Sequence, residues 1–257
     1  MAVATLHLDV HAGFSSGGSL AKTWSVDRQW LYKGASSDAT QTRICSEYLC
    51  SQLAATLGIR HVTYDWIDDK YEICDSPEIL DLGIVRCHNF IPLGSQFISF
   101  HEIFKQHNKS LQETLLWFAE QYREDFCRML LFDYLVANVD RHHRNFGILS
   151  HLDGSQEMAP LFDHDWAMFP EWCEGSFVFE QAIDTIREKT YLETLKVLPQ
   201  HLIELHKDPI SLVDWDTFFS MKDKIIARCP KLSLDRKISI ASLLDVRSKH
   251  LIKLLGG

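Results

Sequence analysis

The stretch Ala137-Asn138-Val139-Asp140-Arg141-His142-His143-Arg144-Asn145 decides how the rest of the chain is read. An apolar helical pattern runs through Tyr122, Phe126, Leu130 and Leu131 towards Val136, and here it stops. Acids, amides and bases then follow one another, as in a loop that carries chemistry rather than a surface turn. Asp140 and Asn145 stand five residues apart. Both offer oxygen, the ligand that a hard cation such as Mg²⁺ prefers.

Downstream, Phe146-Gly147-Ile148-Leu149 reads as a short strand and Asp153-Gly154 as a hairpin turn. Met158 to Phe162 reads as the returning strand, which delivers Asp163 just beyond it. Because a hairpin returns to its start, Asp163 is expected to approach Asn145. Upstream, Ser110-Leu111-Gln112-Glu113 is a capping box that opens the helical stretch, which reads as two helices. Helical spacing makes Trp117, Phe118, Tyr122 and Phe126 core residues.

The N-terminal third has a different character, with strand-like runs, turns and one helix. Lys22 to Val26 and Gln29 to Lys33 suit two strands joined near Asp27-Arg28. Residues 34–39 read as a loop. Thr40 to Leu57 reads as a helix closed by Gly58. Ile44, Ser51 and Ala54 share a stripe with Glu47. A carboxylate on a partly apolar face needs a cation. Lys33, at the end of the preceding strand, is the expected partner, with Lys22 as competitor. Beyond the hairpin, helical patterns recur near 190–206, 212–228 and 235–255.

Phosphoryl transfer needs metal ligands, a carboxylate for the attacking hydroxyl, and a held cation for the phosphates. The chain supplies these in order. Asp140-Arg141-His142-His143-Arg144-Asn145 has the D-x-H-x-x-N spacing of HipA-like kinases, which phosphatidylinositol 3/4-kinases share. Glu47-Tyr48-Leu49-Cys50-Ser51-Gln52-Leu53-Ala54 through Gly58-Ile59 resembles the E-Y-x-C/A-x-x-L-A…G-I helix of HipA-like proteins. Pro160-Leu161-Phe162-Asp163 resembles their metal-binding segment. Near the start of the chain, the turn Gly13-Phe14-Ser15-Ser16-Gly17-Gly18-Ser19 is not G-x-G-x-x-G, and His164-Asp165 follows Asp163 where a protein kinase has D-F-G.

The resemblance implies a two-lobed, protein-kinase-like α+β fold. A small β-rich lobe spans residues 1–90, and a mainly helical lobe spans 91–257. Asp140 would be the catalytic base, and Asn145 and Asp163 would bind Mg²⁺. Lys33, paired with Glu47, would contact the ATP phosphates beneath a Gly17-Gly18-Ser19 turn. His142 would support the loop. Val85 to Phe90 would link the lobes and meet adenine. Ser15, Ser16 and Ser19 are candidates for autophosphorylation.

The expected reaction moves the γ-phosphoryl group of ATP to a Ser or Thr hydroxyl of a protein. The alternatives are a lipid or small-molecule kinase, or a nucleotide-binding pseudokinase or toxin–antitoxin component that acts by binding. The resemblance also implies an antitoxin-type protein partner.

Composition narrows the partners further. There are 26 Lys+Arg against 35 Asp+Glu, a formal charge of −9, which opposes a broad nucleic-acid footprint. Seven cysteines without a CxxC pair read as reduced, buried thiols of a cytoplasmic protein. The thirteen histidines form no second pair at ligand spacing, so no zinc site is expected. No signal peptide and no membrane-spanning run is expected.

Overall fold

The structure is a computed structural model that describes residues 4–6, 20–67, 71–73, 79–80, 82–168 and 206–256. In chain order its strands are β1 (Ala4–Leu6), β2 (Ala21–Trp24), β3 (Trp30–Ala35), β4 (Tyr64–Ile67), β5 (Tyr71–Ile73), β6 (Ile79–Leu80), β7 (Gly83–His88), β8 (Gln96–Ser99), β9 (Gly147–Ser150) and β10 (Gln156–Met158). The helices are α1 (Asp38–Thr56), α2 (Phe100–Gln106), α3 (Leu111–Gln121), α4 (Arg123–Leu135), α5 (Trp215–Arg228) and α6 (Leu234–Leu255), with a 3-10 turn at Pro209–Leu212.

The main sheet has the order β2-β3-β7-β4, with every neighbour antiparallel. The hairpin around Asp27-Arg28 sets Lys22 directly across from Lys33, so both side chains leave the same face. Gly34 and Ala35 are not loop residues: they continue the ladder opposite Ile84 and Gly83. α1 then starts two residues earlier than expected. Ser37 accepts from Thr40 N, and the Thr40 hydroxyl returns to the Ser37 backbone. Gly58, at φ +66°, ends the helix in the left-handed region.

Val85 to His88 lies in β7, a central strand paired with both β3 and β4. A connection can therefore begin only at Asn89-Phe90. β8 and α2 add a strand and a helix before residue 110. The capping box at Ser99-Phe100-His101-Glu102 is the local signal for α2.

A smaller sheet runs β10-β9-β8. β10 ends at Met158 rather than continuing to Phe162, because Pro160 has no N–H for the ladder. Leu161 bridges His61 instead: its N–H bonds Arg60 O at 3.0 Å, and its carbonyl accepts from Val62 N at 2.8 Å. β5 lies between β1, which is parallel to it, and β6, which is antiparallel.

α1 is shared by two apolar cores. Towards the main sheet, Ile44 packs with Ala35, Val62, Tyr64, Val85 and Cys87. On its other side, Cys45, Leu49 and Leu53 join Phe118, Phe126, Phe132, Phe218 and Leu244 from the helices. Glu47 on this helix is therefore inside, not at the edge of a stripe. Cys45, Cys50, Cys87, Cys127 and Cys229 are free and buried, and Cys74 and Cys173 lie outside the described residues. The helical pattern near 190–206 also falls outside them, except at His206. No helix among the described residues is long and apolar enough to cross a membrane.

β9 approaches β8 so closely that a Cβ on Gly147 would sit 2.2 Å from Ile98 O and 2.8 Å from Ser99 Cα. Both neighbours are backbone, so neither can swing aside. Gly147→Ala is expected to lower unfolding free energy by about 1–3 kcal/mol, read as a shift in the urea midpoint at unchanged slope.

Candidate active site

Arg141 organises the site. Burying a guanidinium is costly unless every N–H finds an acceptor. Here its Nε and Nη2 fork onto Asp133 of α4 at 2.8 and 2.9 Å. Nη1 donates to Asn145 O at 2.7 Å and to Phe162 O at 2.8 Å. Nη2 also meets His164 Nε2 at 2.8 Å. Burial, and then the adjacent Arg141 charge, hold His164 well below its ordinary pKa, so it is a neutral acceptor. One side chain thus fixes the 140–145 loop to the segment carrying Asp163. Asp133 stands alone as an acid in an apolar run, which was the available signal for this partner.

Asp140 is half-buried in that loop. Its N–H donates to Asn138 Oδ1 at 3.2 Å, and Asn138 Nδ2 in turn donates to Asp133 at 2.8 Å. Its carbonyl accepts from His142 N at 2.8 Å and Asn145 Nδ2 at 3.3 Å. Burial raises the Asp140 carboxyl above its ordinary pKa, and Asp165 and Asp163 add to the rise against His142 and Arg43. His142 thus braces the loop through its backbone.

Lys33 is buried and pairs with both Glu47 and Asp163, with Nζ 2.8 Å from Asp163 Oδ1. Burial opposes its charge, but Asp163 and Glu47 outweigh that cost and hold its pKa well above the ordinary lysine value. Glu47 also accepts from His164 N at 3.2 Å. Burial pushes Glu47 up to about 7 against the pull of Lys33. Asp163 would also be raised by burial, but Lys33, Lys22 and Arg141 overcome this and keep it well below the usual carboxylate range. Lys22 therefore reaches the same cluster but is not the Glu47 partner, and burial holds it below its ordinary value although Asp163 pulls the other way.

A second pair lies beneath, where Arg43 of α1 meets Asp165 and lies over the Trp166 ring at 4.5 Å. Arg43 stands four residues before Glu47, on the same helix face, a spacing that would have revealed it. Asp163 has φ +61°, a left-handed conformation uncommon for a non-glycine residue. Just before it, the Phe162 ring packs against Phe90 and Phe97 at 5.3 and 5.6 Å. Gly17, Gly18 and Ser19, like Ser15 and Ser16, lie outside the described residues.

One carboxylate oxygen each from Glu47, Asp163 and Asp165 lies within 4.8 Å of the others, an all-oxygen set suited to Mg²⁺. Glu47 and Asp163 are held by Lys33, and Asp165 by Arg43. Asp163 has 19% of its side chain exposed, against 0% for Glu47, and is the member an incoming cation can reach. Asn145 spends its amide nitrogen on Asp140 O, which leaves Oδ1 as its acceptor.

Replacing Lys33 by Met leaves two buried carboxylates without their shared cation. The expected loss of unfolding free energy is about 3–5 kcal/mol. The deficit should grow between mildly acidic and alkaline pH. Unfolded carboxylates ionise near pH 4, whereas Glu47, already at about 7 with Lys33 present, holds its proton longer in the folded variant. Stability is then lost as pH rises through that range. Denaturant midpoints of both proteins across this interval check the sign. Arg141→Lys should cost a similar amount, because an ammonium cannot reproduce the fork.

Residues 87–209 match the family model of the HipA-like C-terminal domain. The matched segment contains Asp140, Asn145 and Asp163; Lys33 and Glu47 precede it. No curated protein matches the chain. Among solved structures it is similar to the Helicobacter pylori proinflammatory kinase CtkA, with TM-score 0.65 and 16% identity over 99% of this chain and 97% of that one. It is also similar to HipA of Shewanella oneidensis MR-1, solved with HipB and operator DNA, with TM-score 0.46 and 14% identity. That match covers 89% of this chain and 59% of that HipA chain. By sequence, then, residues 87–209 match the HipA-like C-terminal domain, and by structure the chain has a kinase-like α+β fold.

Proposed function

We propose that this protein is an ATP- and Mg²⁺-dependent kinase that phosphorylates Ser or Thr hydroxyls of proteins. The observation that carries the proposal is the double engagement of Lys33. It binds Glu47 and Asp163 at once, 14 and 130 residues away, while Arg141 ties Asp163's segment to the Asp140–Asn145 loop. A structural ion pair would need only one partner. A buried lysine between two acids, one of them reachable from solvent, suits a cation that can be transferred to phosphate.

In this reading residues 1–90 form the ATP-binding lobe and 91–257 the catalytic lobe. Lys33 contacts the phosphates, and Glu47 keeps it in place. The Gly17-Gly18-Ser19 turn supplies backbone N–H donors above them. Asn145 and Asp163 hold Mg²⁺, which neutralises charge on the phosphates when bound. Asp140 orients the acceptor hydroxyl and takes its proton as the new P–O bond forms and ADP leaves; its raised pKa makes it a better base. Autophosphorylation is the simplest form of the reaction to detect.

We place the site in a cytoplasmic protein, a reading supported by seven cysteines without a CxxC pair and by the five described ones being free and buried. An antitoxin-type partner rests on the motif resemblance alone. The net charge of −9 speaks against direct nucleic-acid binding.

The test is incubation with Mg²⁺ and γ-labelled ATP, alone and with added protein substrates. Label is expected on the chain or on a substrate. Asp140→Asn should slow transfer by about 10²–10⁴-fold, with nucleotide still bound. Asp163→Asn should abolish the Mg²⁺ dependence of nucleotide binding. Absence of nucleotide binding by the wild type, or label undiminished in both variants, would overturn the assignment.

A further inference from the structure

On the solvent side of the 140–145 loop, two positive side chains and several imidazoles gather that the reaction itself does not use. Arg144 is exposed, and its Nη2 lies 3.4 Å from His101 Nε2. His101 and the exposed Lys105 are one turn apart on α2, so they share a face. His142 and His143 adjoin them.

The mounting is rigid. His101 N donates to His143 O at 2.9 Å, and Phe100 N donates to Phe146 O at 2.8 Å. The Phe100 ring meets the His143 ring at 5.5 Å. α2 is thereby pinned to the loop that carries Asp140. The one acid in this stretch of α2, Glu102, is turned back on the helix start, with Oε2 2.8 Å from both Ser99 N and Ser99 Oγ. It caps the helix rather than meeting Arg144. On a chain of net charge −9, a basic surface beside Asp140 is the exception that asks for a ligand.

We propose that Arg144, Lys105 and His101 form the acceptor-recognition surface, and that it selects protein segments in which the Ser or Thr is flanked by Asp or Glu. This deepens the kinase reading and rests on it. Arg144 sits four residues after Asp140, so a hydroxyl held at Asp140 brings its neighbouring residues over the patch. The attraction is long-range and exposed, and salt weakens it.

The test uses tagged peptides with one central Ser and flanks of Asp/Glu, Gln or Lys, at low salt and at about 0.5 M salt, where screening shortens the field to a few Å. Binding is followed by fluorescence anisotropy, and phosphate transfer by label, with wild type and the double variant Lys105→Glu/Arg144→Glu. Acidic peptides should bind the wild type about tenfold or more tightly than basic ones. That preference should shrink at high salt and invert in the double variant. The ratio is read within each protein, so a general loss of activity cancels. Indifference to peptide charge, or a preference the double variant keeps, would sink the proposal whether or not any peptide is labelled. An acidic preference that inverts as expected, with no label on any peptide or on the chain itself, would support the surface and overturn the kinase reading instead.

Discussion

Everything around the site depends on buried charges that cannot be left alone. Arg141 and Asp133 are both buried, and so are Lys33, Glu47, Arg43 and Asp165. Removing any one strands its partner in a medium that solvates charge poorly. The chain must therefore bring α1, β3, α4, the 140–145 loop and the segment after β10 into one arrangement. Arg141 is the most demanding member, because its fork must reach an acid, two carbonyls and a neutral imidazole together. Few backbone arrangements meet all of those distances.

α1 converts this electrostatic constraint into architecture. It lies between the main sheet and the helical core, and both of its sides are covered by apolar side chains. Glu47 and Arg43, one turn apart, project from it towards Lys33 and Asp165. Ser46 adds a bond from the same turn to Ala167 O at 2.9 Å. The helix thus meets the stretch 163–167 at three points: Glu47 at His164 N, Arg43 at Asp165 and Ser46 at Ala167 O. Movement of α1 would loosen the whole acidic cluster at once.

The two carboxylates on Lys33 are not equivalent, and the difference bears on function. Glu47 is wholly enclosed and pushed up to about 7 by burial. Asp163 is partly open, kept anionic by three cations, and placed by a left-handed backbone turn. An enclosed acid can hold a lysine in place, and an open, ionised acid can receive a cation. The exposed basic face at Arg144 has the opposite character: it is mounted on the 140–145 loop, which Arg141 ties to the Asp163 segment, but turned towards solvent.

Much of this was legible before any tertiary contact was known. The Ser110-x-x-Glu113 box, the Asp27-Arg28 and Asp153-Gly154 turns, and the helix closed by Gly58 rest on contacts a few residues apart. Local chemistry is enough to specify them. Lys33, Glu47 and Asp163, singled out by residue type and order along the chain, do meet in one cluster, and Arg141 ties the loop of Asp140 and Asn145 to it. Sequence reasoning placed Val85 to Phe90 as a connection, whereas β7 is central; whether a strand lies at the edge or the middle depends on partners far along the chain. It carried the returning strand to Phe162, although Pro160 already forbade that. It also missed Arg43 with Asp165, and Arg141 with Asp133 and Phe162. The partners in these contacts are as much as 122 residues apart. Only packing decides which of the available opposite charges meet, since the cost of burying each one is set by the whole fold around it.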